Sequence, residues 1–131
     1  MIAIDSSALV AILRNEVCAL LFAESIGAET SAIMSAVSYL ETSMVIAGAA
    51  LDETVWPALD RLLSRAKIAV VAFDAEQASL ARAAFLKYGK GRHPAGLNFG
   101  DCASYALAKS RRIPLLYKGA DFAKTDIVSA L

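Results

Sequence analysis

Cysteines, long apolar runs and a leader-like N-terminus are scarce or missing in this chain of 131 residues. Its two cysteines, Cys18 and Cys102, match neither a disulfide framework nor a metal-ligand spacing, so both are expected to be reduced, buried side chains. No uninterrupted apolar stretch reaches the roughly 18 residues needed to cross a bilayer, and Asp5 interrupts the N-terminus too early for a secretory signal. These absences predict a cytoplasmic protein without a membrane segment.

An excess of one charge sign is also absent, because thirteen basic residues match thirteen acidic ones. Any affinity for nucleic acid must then come from a local basic patch and not from the field of the whole molecule. The overall charge therefore neither supports nor excludes RNA as a ligand.

Apolar residues, in contrast, are abundant. They make up 57% of the chain, against the roughly 45–50% that is usual in soluble proteins. A chain of this length is expected to form one domain, residues 1–131, around one core. The surplus of apolar residues indicates that another chain covers part of the surface, so we expect a homodimer or a tight partner.

Short apolar runs alternate with longer segments of helical periodicity, a pattern that predicts an α/β fold with a central parallel sheet of four or five strands. The predicted strands are 2–4, 32–34, 68–73, 115–117 and a short last one at 127–128. The predicted helices are 7–13, 16–26, 37–50, 54–66, 75–88 and 99–111.

Four carboxylates lie where this pattern places one edge of the sheet. They are Asp5, Glu41, Asp101 and Asp121. Ligands in open α/β sheets bind beyond the carboxyl ends of the strands, and three of these acids follow such ends. Two like charges about 4 Å apart repel by roughly 4 kcal/mol at an effective dielectric near 20. Bringing them together therefore implies a divalent cation or a perturbed proton, and a metal site is the simpler interpretation.

Each acid also has a purely structural interpretation. Ser38-x-x-Glu41 and Asn98-x-x-Asp101 both have the spacing of a helix capping box. Asp5 is able to cap the helix that follows it, and Asp121 is a common type of turn residue. The sequence by itself leaves these alternatives open.

A segment rich in glycine and proline, residues 89–98, is predicted to be a loop and carries positive charge next to Asp101. Its basic residues Lys90, Arg92 and His93, together with Lys118 near the last acid, are candidates for holding phosphates. The alternative is that they are ordinary solvated side chains.

Four motifs together resemble PIN-domain ribonucleases of the VapC type, the toxins of type II toxin–antitoxin systems. They occur in the family's order and spacing along the whole chain. The motifs are Ile4-Asp5-Ser6-Ser7-Ala8, Ser38-Tyr39-Leu40-Glu41, the run from Arg92 to Cys102, and the closing run from Leu115 to Asp126.

The resemblance implies a three-layer α/β/α domain that cleaves RNA in an acidic pocket holding Mg²⁺ or Mn²⁺. It implies Asp5, Glu41 and Asp101 as the metal-site acids, with Ser7 as a polar helper. The fourth acid is Asp121. Related sequences commonly carry two consecutive aspartates there, and this chain has Ala120 in the first position.

The resemblance also implies a VapB-like antitoxin whose C-terminal segment wraps the toxin and blocks the pocket. The apolar residues Val55, Trp56, Leu59 and Leu63 are candidates for the groove that receives it. They are equally well interpreted as ordinary core.

Other classes of protein place acids at strand ends too. A phosphoacceptor receiver domain is loosely compatible with Asp74 and Lys118, but it requires a pair of acids after the first strand, where Asp5-Ser6-Ser7 stands. An aspartyl phosphatase requires a second aspartate at the position of Ser7. The same residues disfavour both classes.

Two further alternatives use other residues. A thiol hydrolase built on Cys102 and His93 is formally available, but the neighbouring Asp101 disfavours the thiolate. A binding module without activity is the second, because Ala120 takes the place of an acid.

Overall fold

A four-stranded parallel sheet lies at the centre of a computed structural model that describes residues 1–48 and 53–131. Its strands are β1 (Ile2–Ile4), β2 (Ala32–Ser35), β3 (Ile68–Val71) and β4 (Leu115–Leu116), in the spatial order β3-β2-β1-β4. All three neighbouring pairs are parallel. The predicted α/β class with a parallel sheet is therefore confirmed.

Helices cover the sheet on both faces. They are α1 (Ser6–Leu13), α2 (Ala19–Gly27), α3 (Ala36–Ala47), α4 (Trp56–Arg65), α5 (Ala75–Tyr88) and α6 (Phe99–Arg111). Short 3₁₀ turns lie at Glu53–Val55 and Phe122–Lys124. Across residues 1–48 and 53–131, none of the helices is both long and apolar enough to cross a membrane.

The side chains of each strand alternate between two separate apolar clusters. In β1, Ala3 packs in one cluster with residues of α5 and α6, while Ile2 and Ile4 pack in the other with residues of α1, α2 and α4. Leu115 and Leu116 of β4 divide in the same way. Since neighbouring strand residues point to opposite faces, the sheet is the middle of three layers.

The last predicted strand, at 127–128, does not form. A single parallel bridge joins Leu115 to Ser129 instead, with Leu115 N–H donating to Val128 O at 2.9 Å. The segment is fixed to α6 by side chains, because Tyr105 and Lys109 donate to the Asp126 carboxylate at 2.6 and 2.8 Å. Burial alone would raise the pKa of Asp126, but these two donors outweigh it and lower the pKa to about 2.

Several element boundaries differ from the predicted ones. Strand β3 ends at Val71, because Asp74 follows closely as the N-cap of α5. The Asp74 side chain accepts from Gln77 N–H. Helix α2 begins three residues later than predicted, at Ala19. Helix α3 ends at Ala47, and the predicted residues 49–50 lie outside the described part of the chain.

Of the two interpretations of α4, core is correct for Leu59 and Leu63, which are 0% and 7% exposed. Trp56 is 39% exposed and donates its indole N–H to Ser43 O at 2.9 Å. Pro57 lies in the first turn, where a missing N–H costs no helical hydrogen bond.

Candidate active site

Asp5 is buried where β1 ends and α1 begins. It is 2% exposed, and its extended backbone makes it the N-cap of α1. Its Oδ2 accepts from Ser7 N–H at 3.0 Å and from Ser7 Oγ at 2.6 Å, while Oδ1 accepts from Ser104 Oγ at 2.6 Å. The capping interpretation of Asp5 is therefore confirmed. Capping uses only Oδ2, so it does not remove the carboxylate from the site.

Glu41 reaches the same region from α3. The hydroxyl of Ser6 donates to its Oε1, and the carboxylate lies against Gly100 of α6. The Ser38–Glu41 capping box is wrong, because it requires Ser38 to be the N-cap of α3, and the helix begins earlier, at Ala36. Ser35 is the N-cap, with its side chain accepting from Val37 N–H at 3.2 Å.

Asp101 lies in the first turn of α6 and forms the predicted capping box. Asn98 N–H donates to Asp101 Oδ2 at 3.0 Å, and Asp101 N–H donates to Asn98 Oδ1 at 2.9 Å. Burial raises the pKa of Asp101 to about 6, although the hydrogen bond from Asn98 opposes the shift. The negative charges of Asp5, Glu41 and Asp121 raise this pKa further. The other three acids therefore lie close enough to Asp101 for their charges to act on it.

Asp121 is the most exposed of the four acids. It precedes the turn at Phe122–Lys124, and its side chain makes no capping hydrogen bond there. Its charge nevertheless contributes to the raised pKa of Asp101. The turn interpretation is correct for its backbone, and the carboxylate remains free of a capping role.

The chemistry of these donors fits a hard divalent cation. All four are carboxylates, and a cation would relieve the repulsion by which the other three raise the pKa of Asp101. In residues 1–48 and 53–131, no three acid, histidine or cysteine side chains are already assembled as a metal site. Mg²⁺ usually retains several waters and is held by one or two carboxylates, so a fully assembled cage is not required.

Lys118 and Ser7 connect β4 to the pocket. The backbone N–H of Lys118 donates to Ser7 Oγ at 3.0 Å, and Ser7 in turn donates to Asp5. The side chain of Lys118 is engaged differently, because its Nζ donates to Glu16. This hydrogen bond is the main reason that the pKa of Lys118 is raised.

The loop at 89–98 is closed by backbone bonds, with Leu97 N–H donating to Tyr88 O at 2.9 Å. Lys90 and Arg92 are exposed, and Arg92 lies over the ring of Phe85 at 5.8 Å. His93 is half-buried.

The His93 ring has a local structural role. Its Nδ1 accepts from Ala95 N–H at 3.0 Å, and the ring packs edge-on against Tyr88 at 5.1 Å between centroids. Cys102 is 5% exposed, and burial together with the charge of Asp101 raises the pKa of its thiol. These contacts weigh against a thiol hydrolase built on Cys102 and His93.

Three residues of the pocket were not assigned a role from the sequence. Ser6 donates to Glu41, Ser104 donates to Asp5, and Gly100 leaves room for the Glu41 carboxylate. The available signal was the spacing of small residues from the acids: Ser104 lies three residues after Asp101, on the same side of a helix.

Comparison with known proteins agrees with this arrangement. The family model described as PIN domain matches residues 2–128. The ribonuclease VapC30 of Mycobacterium tuberculosis is 52% identical over 126 residues, which cover 96% of this chain and 95% of that protein. The chain therefore belongs to the PIN-domain family, among its VapC members.

Two solved structures share the fold. The crystal structure of M. tuberculosis VapC20, described as a toxin that cleaves the sarcin–ricin loop, has a TM-score of 0.77 at 16% identity and covers 98% of this chain and 97% of its own. A toxin–antitoxin complex from Klebsiella pneumoniae has a TM-score of 0.74 at 18% identity and covers 100% and 98%. At these identities the likeness supports the fold.

Proposed function

We propose that the protein is a divalent-metal-dependent endoribonuclease, the toxin of a toxin–antitoxin pair. The observation that supports the proposal is the raised pKa of Asp101, about 6. Burial raises this pKa most, and the charges of Asp5, Glu41 and Asp121 raise it further. Its relative VapC30 is named a ribonuclease. With RNA as the substrate, we place the protein in the cytoplasm.

Asp5, Glu41 and Asp101 are the residues that would hold Mg²⁺ or Mn²⁺, with Asp121 beside them. A bound cation of this kind supplies an activated water and neutralises charge that develops on the phosphate during hydrolysis. The protein supplies the positions of the acids. Asp5 is fixed by Ser7 and Ser104, and Asp101 is fixed by the capping box with Asn98.

We infer that RNA phosphates are held by the cations around the pocket. Lys90 and Arg92 are exposed on the loop that leads to Asp101, and Lys118 follows β4 beside Ser7. His93 is the weakest of the proposed contacts, because its Nδ1 already accepts from Ala95 N–H. Lys118 must leave Glu16 to contact a phosphate.

We infer that a VapB-like antitoxin covers the exposed apolar side chains of α2, α3 and α4, since the fold neighbour from K. pneumoniae is a complex with an antitoxin. These side chains are Leu20, Leu21, Leu40, Met44 and Trp56, and they are between 39% and 70% exposed. Of the residues predicted for the antitoxin groove, Trp56 stays in this set, whereas Leu59 and Leu63 are left out because they lie in the core.

We infer a homodimer through a different surface, an apolar groove between α5 and α6. The groove has a volume of about 870 Å³ and is lined by Phe85, Leu86 and Phe99 among others. Leu86 and Phe99 are 65% and 78% exposed. Exposed apolar side chains clustered in this way are typical of an interface, and their presence agrees with the high apolar content of the chain.

The test is an RNA cleavage assay with the antitoxin-free protein. Total cellular RNA is incubated with Mg²⁺, with Mn²⁺ and with EDTA, and in parallel with Asp101→Asn. Glu24→Gln is the matched control, because Glu24 is an exposed acid on α2. Metal-dependent cuts with the wild type and the control, absent from Asp101→Asn, are expected.

Cuts that persist in EDTA, or with Asp101→Asn, would contradict the metal site. No cutting in any sample, together with no Mn²⁺ binding by calorimetry, would favour the alternative function. In that case Ala120 marks a disabled pocket, and the protein works by binding alone. Restored cleavage by Ala120→Asp would then identify the missing acid.

A further inference from the structure

A chain of buried hydroxyl groups runs from α3 through α6 to Asp5. Ser38 Oγ lies 3.0 Å from Ser104 Oγ, and Ser104 Oγ lies 2.6 Å from Asp5 Oδ1. The three residues are 0%, 1% and 2% exposed. Ser38 precedes Glu41 by three residues and Ser104 follows Asp101 by three, so the chain of hydroxyls joins the elements that carry three of the acids.

The direction of these hydrogen bonds follows from the number of protons available. An ionised carboxylate only accepts, and a serine hydroxyl has a single proton to donate. Ser104 therefore gives its proton to Asp5, and Ser38 must donate to Ser104. The order of donation is Ser38 to Ser104 to Asp5.

The remaining capacity of Asp5 is small and lies on one oxygen. A carboxylate has about four lone-pair sites. Ser7 fills two of them at Oδ2 with its N–H and its hydroxyl, and Ser104 fills one at Oδ1. The site that is left is therefore on Oδ1, the oxygen that Ser104 holds.

We propose that Ser104, supported by Ser38, is a positioning residue that orients Oδ1 of Asp5 for a divalent cation. The inference rests on the proposed metal-dependent function and assigns a role to residues outside the four acids. Burial makes the arrangement rigid, because a buried hydroxyl that loses its partner has no water to replace it. Hydrogen bonds of this kind orient metal-binding side chains and tune metal affinity.

The test measures Mn²⁺ binding by calorimetry, with no RNA present. The variants are Ser104→Ala, Ser38→Ala and the double variant, with Asp5→Asn as the variant that loses the site. Ser110→Ala is the matched control, because Ser110 is also on α6 but its hydroxyl donates to Leu107 O at 2.9 Å. Thermal melting of each variant without metal verifies that it is folded.

Removing the Ser104 hydroxyl is expected to weaken Mn²⁺ binding by roughly 10-fold. Ser38→Ala should cause a smaller loss. The double variant should match Ser104→Ala alone, because Ser38 acts only through Ser104. A general loss of packing would instead make the two effects add. Ser104→Cys keeps the shape of the side chain, with a larger Sγ that donates only weakly, so it should also weaken binding, even if Ser104→Ala does not fold.

Two outcomes would overturn the inference and are distinguishable from each other. If Ser104→Ala and Ser104→Cys bind Mn²⁺ as tightly as the wild type while Asp5→Asn does not bind, Ser104 has no positioning role and the proposed function stands. If the wild type itself does not bind Mn²⁺, the metal-dependent function fails and this inference fails with it.

Discussion

Gly100 occupies a position where any side chain would collide with Glu41. A Cβ atom built on Gly100 would lie 2.0 Å from Oε2 and 2.6 Å from Cδ of the Glu41 carboxyl group. The glycine thus lets a carboxylate on α3 approach the first turn of α6, where Asp101 lies. Glycine is needed here for space, since its backbone is helical.

Gly100→Ala is therefore expected to separate activity from stability. The Glu41 carboxylate must move, and a displacement of about 1 Å at a catalytic group can cost about 100-fold in rate. The free energy of unfolding should change little, because Glu41 is a flexible side chain and alanine is favoured over glycine in helices by up to about 1 kcal/mol.

Cleavage rates and melting temperatures of Gly100→Ala and Gly27→Ala provide the measurement. Gly27 is a helical glycine of α2 with nothing within 4 Å of an added Cβ, so its variant should keep full activity. A Gly100→Ala protein as active as the wild type would show that the position of Glu41 is unimportant for cleavage.

Asp101 should make the metal-free protein less stable as the pH rises. Its pKa in the folded protein is about 6, above its ordinary value of 3.8, so the protonated form favours folding. This contribution to stability is fully present below pH 3.8 and is lost as the pH rises through 6. Because Asp101 is partly exposed, we expect a loss of about 1–2 kcal/mol after allowance for solvent screening.

Urea denaturation in EDTA between pH 4 and 7.5 measures this effect. Asp101→Asn should lack the loss, so at pH 7.5 it should be more stable than the wild type without metal. An equal dependence on pH in both proteins would mean that Asp101 ionises freely in the folded state. Mn²⁺ binding by the wild type should also weaken below pH 6, because the proton competes with the cation.

The sequence predicted those parts of the fold that depend on neighbouring residues. Helices α5 and α6 have the expected bounds, and they begin where expected because Asp74 and Asn98 are N-caps with a clear local signature. The short last strand at 127–128 was predicted wrongly, because pairing depends on a distant partner: the bridge from Leu115 goes to Ser129, and Asp126 is fixed to α6 through side chains.

The difference between local and distant partners also explains which residues of the pocket could be predicted. The acids stood out because they follow predicted strand ends, and burial and repulsion at Asp101 are consistent with their convergence. The hydrogen bond from Ser104 to Asp5 spans 99 positions in the chain, and the spacing of Ser104 from Asp101 does not by itself reveal this partner. The role of Ser38 depends on where α3 begins. Because the N-cap is Ser35, Ser38 lies inside the helix and its hydroxyl is buried against Ser104.

The loop cations should contribute to RNA affinity in a salt-dependent manner. Arg92→Gln and Lys90→Gln, each in an inactive Asp101→Asn background, are expected to weaken binding of a fluorescent single-stranded RNA. Each should reduce the slope of log affinity against log salt by about 0.7, the value for one phosphate contact on a single strand. Arg65→Gln is the control, because Arg65 ends α4 just before β3 begins, whereas the acids follow the carboxyl ends of the strands.

Lys118 should behave differently because Glu16 holds its side chain. Glu16→Gln releases the ammonium group and is expected to tighten RNA binding, whereas Lys118→Gln should weaken it less than Arg92→Gln does. Fluorescence anisotropy at several salt concentrations tests both. A Glu16→Gln protein that binds RNA more weakly would indicate that the ion pair itself is needed at the pocket.

Leu86 provides the test of the proposed homodimer. Its side chain is 65% exposed in the groove between α5 and α6, so Leu86→Glu removes little packing from the protomer and places a charge in the interface. The wild type is expected to have the mass of a dimer by light scattering, and Leu86→Glu that of a monomer with a similar melting temperature. Leu20→Glu, at a similarly exposed leucine on α2, should remain dimeric. A monomeric wild type, or a dimer that survives Leu86→Glu, would move the interface away from this groove and leave its exposed phenylalanines to another partner.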